Sequence, residues 1–184
     1  MSTIYVIGKI ITLPGAYLKT FWEHFVCRLL GIPVETGDYL VYDERLGHVE
    51  HEFPKTLPRT FLFAWLPGLI NRLLGIPMFF AGALGIVYLG VEPIIRESGE
   101  KTWIFFVYLV LLYLGISLLC NIFPLVEDAL LLWDKLYGKN SSANIVWKVL
   151  LFIPTACMLI GSYLEQYSIN ILIAVIYIAV GLLL

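Results

Sequence analysis

Four ionisable residues fall inside one short apolar stretch: Lys19, Glu23, His24 and Arg28, between Pro14 and Leu30. On a helix, residues four apart share a face, so Lys19 stacks over Glu23 and His24 over Arg28, the second face turned by about 100° from the first. Charges in a membrane segment are costly and mark functional sites that need a partner. Lys19 with Glu23 is such a pair; the plainer alternative is a partly submerged helix whose Lys19 and Arg28 snorkel to an interface. Metal chemistry finds less support. His24 and Cys27 are spaced as half a site, but no second pair accompanies them. His48 and His51, in extended chain, point to opposite faces and make poor joint ligands. No metal and no cofactor are therefore expected. The chain has no G-x-S-x-G, no phosphate-cradling glycine loop and no C-x-x-C. Cys27, Cys120 and Cys157 are odd in number and sit in apolar stretches, which argues against a disulfide framework.

The elements that must position these residues are set by composition. Of 184 residues, 60% are hydrophobic and 14% charged, and the mean hydropathy is +0.86, against about 25% charged in a soluble domain. This is an integral membrane protein. Twelve Lys plus Arg against 14 Asp plus Glu, a net charge of -2, provide no basic field and exclude nucleic acid as a partner. Thr102 to Pro124 is long and apolar enough to span a bilayer. Ile145 to Leu164 and Ser168 to Leu184 read as two more spans joined by a polar turn, Glu165-Gln166-Tyr167. Leu57 to Ile95 is too long for one straight span, and Gly75 and Pro77 give the order expected at a helix end, so it forms a kinked helix or two short ones. The hexapeptide Arg-Leu-Leu-Gly-Ile-Pro occurs at Arg28 to Pro33 and again at Arg72 to Pro77, as two similar helix ends. Ala81 and Gly85 form a small pair that permits close helix packing.

The fold expected is mainly α, one integral membrane domain over 1–184 with about five (four to six) transmembrane helices. It includes a small β-hairpin in the polar region 36–59, built from Asp38–Tyr42 and His48–Glu52, and a C-terminal transmembrane hairpin over 145–184. An amphipathic run, Leu125 to Tyr137, closes at Gly138. If Leu57 to Ile95 crosses once, Arg45, Lys55, Arg59, Lys135, Lys139 and Lys148 share a side against Arg96 and Lys101, which puts the hairpin loop in the cytoplasm of a cell membrane.

Three stretches carry a family resemblance. Pro14 to Val34 (PGAYLKTFWEHFVCRLLGIPV) resembles the first core helix of site-2-protease-like intramembrane zinc metalloproteases, in which H-E-x-x-H precedes a similar R-x-x-G ending. Gly47 to Asn71 resembles the family's G-x-V-x-H-E-x-P strand and following helix, and Leu114 to Trp133 its L-G-I-S and F-P-x-x-x-D-A segment. The resemblance implies a metalloprotease-like core over 14–133. It puts Lys19 and Glu23 at the two histidine positions, Thr20 at the general-base position, Asn121 where relatives carry a His, and Asp128 at the family's metal-binding Asp. An ammonium has no lone pair and repels a metal, so the resemblance implies a degenerate scaffold, a pseudo-metalloprotease without catalytic or metal-binding residues. The Lys19 ammonium would then occupy the place of the cation, with Glu23 and Asp128 as its anions.

The function expected is a non-catalytic membrane protein that binds or regulates a membrane partner, another membrane protein or a lipid. One alternative is an accessory or structural subunit of a larger membrane complex. A second is an active membrane metallohydrolase with an atypical site such as His24, His48 and Asp128.

Overall fold

The computed structural model describes residues 3–35, 39, 46–89, 99–139, 141 and 143–183. Among the described residues the helices are α1 (Thr3–Ile11), α2 (Leu13–Leu30), α3 (Leu57–Leu89), α4 (Gly99–Leu119), α5 (Val126–Tyr137), α6 (Ile145–Gln166) and α7 (Ile169–Leu183). Three are long and apolar enough to cross a membrane: α3, Thr102–Leu119 within α4, and α6. The expectation of about five meets its limit in α2, which carries Lys19, Glu23 and Arg28, and in α7, which has 15 residues, short of the roughly 20 a span needs.

Leu57–Leu89 is one continuous helix of 33 residues with Pro67 and Pro77 inside it. Of the two forms expected, a kinked helix or two short ones, the second is not found: the helix does not end at Gly75-Pro77, and tertiary packing explains why. A Cβ built on Gly75 would lie 3.0 Å from Leu118, one on Gly82 2.4 Å from the Leu112 backbone, and one on Gly115 2.4 Å from the Phe79 backbone. Partner numbers fall as the α3 numbers rise, so α3 and α4 run antiparallel with their backbones nearly touching. Close approach through small residues is how helices associate in lipid, and it carries α3 past a proline that would end an isolated helix. Gly85 faces the Tyr108 ring, whereas Ala81 is exposed.

The first copy of the hexapeptide does end its helix. Gly31 takes φ +64°, and Ile32 N–H reaches back to the Cys27 carbonyl at 2.8 Å, a left-handed cap that a glycine adopts without steric cost. From there the chain pairs with the loop before α3. Val34 and His51 form an isolated antiparallel bridge, with Glu35 N–H to the Glu50 carbonyl at 2.9 Å and Glu52 N–H to the Pro33 carbonyl at 3.0 Å. Among the described residues there is no strand, so the expected β-hairpin is not supported. Of its first arm, Asp38 and 40–42 lie outside the described residues. The second arm pairs with the exit from α2, and Val49 gives its N–H to Glu23 rather than to a ladder.

Two apolar clusters lock the layers together. Ala64 of α3, Ala129, Leu132 and Leu136 of α5, and Met158 of α6 form one; Val26, Cys27, Ile32 and Phe63 form the other and seat α2 on α3.

The glycine contacts give a first prediction. Gly115→Leu forces α3 and α4 apart at Phe79 and should cost about 1–3 kcal/mol, read as a fall in the denaturation midpoint in detergent. Ala81→Leu on the exposed side should leave that midpoint unchanged.

Candidate functional site

The ends of four helices meet around a buried ionic network. Thr12 joins α1 to α2: its hydroxyl donates to the Gly8 carbonyl (2.9 Å) and accepts from Asn121 Nδ2 (3.0 Å). Ser117 Oγ donates to the Thr12 carbonyl (3.0 Å) and accepts the Gly15 N–H (2.8 Å). Asn71 Nδ2 donates to the Asn121 carbonyl (2.7 Å) and the Gly15 carbonyl (3.3 Å). The break after α4 is thereby tied to the α1–α2 joint and to the middle of α3. A chain that leaves a helix inside an apolar core must satisfy its freed backbone groups somewhere, and these amide and hydroxyl side chains do so.

Into that frame α1 and α2 each project a lysine. Lys9 Nζ donates to Asn121 Oδ1 (2.7 Å) and Glu165 Oε1 (2.6 Å). Lys19 Nζ donates to the same Glu165 oxygen (3.2 Å) and to the Phe123 carbonyl, and lies 4.0 Å from Glu23 Oε1. The other Glu165 oxygen accepts the Phe123 N–H (2.9 Å). Lys9, Lys19, Glu23 and Glu165 are all buried. Two ammoniums thus face two carboxyls, an arrangement in which buried charges are paired and hydrogen-bonded.

Glu23 also fixes the loop before α3. Its Oε1 lies 3.0 Å from His48 Nδ1, and its Oε2 accepts the Val49 N–H (3.0 Å). Burial, reinforced by the Lys19 and Lys9 ammoniums, holds the His48 imidazole well below its usual range. The same burial pushes the Glu23 carboxyl up to about 7, against the pull of Lys19 and the Val49 N–H, so the imidazole and the carboxyl share a hydrogen bond in which either can supply the proton. His51 behaves in the opposite way. Burial pushes its imidazole down, but Asp128, with Oδ1 3.5 Å from His51 Nε2, and the Glu52 carbonyl more than offset this and raise it. A cavity of about 160 Å³ collects His48, His51 and Asp128 with Glu35, Glu50 and Glu127. Among the described residues, no three His, Cys, Asp or Glu side chains converge in a way that could hold a metal ion.

The structure brings Lys19 and Glu23 together, but Asp128 faces His51, and the carboxylate that reaches Lys19 is Glu165. Thr20 is buried and bonds back to the Ala16 carbonyl (3.1 Å). Asn121 is a hub of the network. His24 meets the Tyr39 hydroxyl, whereas His48 meets Glu23. Glu165 belongs to the buried core at the end of α6 rather than to a polar turn; the chain reverses at Tyr167 and Ser168, the latter at φ 55°. Sequence reading missed Lys9, Glu165 and the Glu23–His48 contact. The available signal was a lone charge in an apolar run, at Lys9 in TIYVIGKII and at Glu165 after LIGSYL.

Lys19→Met leaves Glu23 without its ammonium and removes one of two cations from Glu165, and should cost about 3–5 kcal/mol, measured by denaturation in detergent. The His51–Asp128 pair supplies stability in full below the ordinary imidazole value of 6.5 and loses it as pH rises through the raised folded value. The stability difference between wild type and Asp128→Asn should therefore shrink from about pH 6 to about pH 8. No protein-family model, curated protein or solved structure matches this chain.

Proposed function

We propose that the chain is a non-catalytic integral membrane protein whose core is a degenerate site-2-protease-like scaffold and which binds or regulates a membrane partner. The observation that carries this reading is the Lys19 ammonium, held by Glu165 Oε1, the Phe123 carbonyl and Glu23 on the helix whose sequence resembles the zinc-binding one. In a zincin, i and i+4 histidines offer lone pairs to the metal; here the same spacing carries an ammonium and a carboxyl. A fixed positive charge at that point substitutes for the charge of a divalent ion but provides neither an open coordination position nor an activated water. With both ammoniums paired to carboxyls and hydrogen-bonded, the network is suited to holding the α1, α2 and α6 ends together. The counted Lys and Arg residues support a cytoplasmic position for the loop before α3.

The accessory-subunit reading draws on α2, which is not among the helices able to span by length and composition, yet exposes Phe21, Phe25 and Leu29. The experiment is incubation of the purified chain, with and without added zinc, with a fluorogenic single-pass helical substrate in detergent. No chelator-sensitive cleavage is expected, and zinc-dependent cleavage would overturn the reading.

A further inference from the structure

Arg72 lies on α3 as its sixteenth residue of 33, far from either end of a candidate span. Its guanidinium lies over two aromatic rings, 5.7 Å from the Trp65 centroid and 5.3 Å from that of Phe123. It forms no ion pair and no hydrogen bond among the described residues. The anion acting on it through space is Glu165, whose oxygens already accept two ammoniums and the Phe123 N–H. Beside the guanidinium is a cavity of about 130 Å³ between α3, the 122–124 segment and α6, bordered by Trp65, Arg72, Phe123 and Cys157. Trp65 keeps its indole N–H buried without an acceptor. Both nitrogen-bearing side chains at the cavity are donors only, and one carries a full charge.

A cation within a membrane helix is stabilised by pairing with an anion. Lipid phosphates lie at the bilayer surfaces, about 15 Å from the centre, whereas Arg72 and Cys157, the thirteenth residue of 22 on α6, occupy the interior of their helices. The fitting anion is a carboxylate carried into the membrane on another helix.

We infer that the cavity beside Arg72 is the docking point for a partner transmembrane helix that presents an Asp or Glu side chain near mid-membrane. The guanidinium fork takes the carboxylate with two parallel N–H donors, and the exposed Leu69, Leu73 and Ile76 of α3 cover the partner's apolar surface. This rests on the reading of the chain as a binding protein and names the chemistry of what it binds.

The test uses the full chain in phosphatidylcholine vesicles with a synthetic Leu/Ala-rich membrane-spanning peptide that carries one central Asp, or Leu at that position. The readout is alkylation of Cys157, the exposed cysteine of the three. The Asp peptide should slow alkylation about tenfold relative to the Leu peptide. Arg72→Gln should abolish that difference, and Arg72→Glu should transfer it to a peptide with central Lys. Equal protection by the Leu peptide would overturn the inference, as would protection by phosphatidylglycerol without peptide, which would assign the site to a lipid headgroup. The comparison of peptides on the wild-type chain needs no variant to fold. Mass spectrometry of the peptide separates the two levels: zinc-dependent cleavage would sink the non-catalytic reading, while an intact peptide without charge-selective protection would sink only the docking inference.

Discussion

Glu165 is the carboxylate on which the architecture turns. One of its oxygens is shared by the Lys9 and Lys19 ammoniums and the other accepts the Phe123 N–H, so a single side chain from α6 joins α1, α2 and the break after α4. In a low-dielectric interior an unpaired ammonium is far costlier than at a surface. Both lysines are committed to this geometry, and Glu23 follows because it approaches Lys19 on the same helix. Through His48 and Val49 the constraint then reaches the loop before α3. Apolar packing surrounds this network, and the hydrogen-bonded charges tie the helix ends within it to one another.

The two copies of Arg-Leu-Leu-Gly-Ile-Pro show how far local sequence reaches. At Arg28–Pro33 the glycine adopts a left-handed conformation and the helix stops. At Arg72–Pro77 the same six residues continue within a helix, because the second glycine is pressed against Leu118 and the Gly115 carbonyl of α4. Periodicity and glycine-proline order describe an isolated segment, and here a neighbouring helix decides the outcome. The arginines diverge as well: Arg28 is exposed, whereas Arg72 is partly enclosed, its guanidinium over two aromatic rings.

Legibility followed sequence separation. The apolar spans, the α2 end at Gly31 and the i, i+4 meeting of Lys19 with Glu23 are local features, readable from spacing and residue type. The contacts that complete the site join residues 112, 146 and 156 positions apart, and no local period encodes them. The family resemblance implied Asp128 as the second anion for Lys19, yet Asp128 pairs with His51 and Glu165 takes its place at Lys19. Alternating residues in His48–Glu52 suggested a hairpin arm, but Glu23 takes the Val49 N–H that a strand partner would have used.

The clasp between the first helix and the sixth also sets a sequence of events in synthesis. Lys9 and Lys19 are made long before residue 165, and at about 5–20 residues per second the interval is on the order of ten to thirty seconds. During that time two ammoniums must stay hydrated, be neutralised by something else, or hold the amino-terminal helices back at the membrane surface. Whichever course is taken, the final burial of both lysines waits on the α6 carboxylate that accepts them.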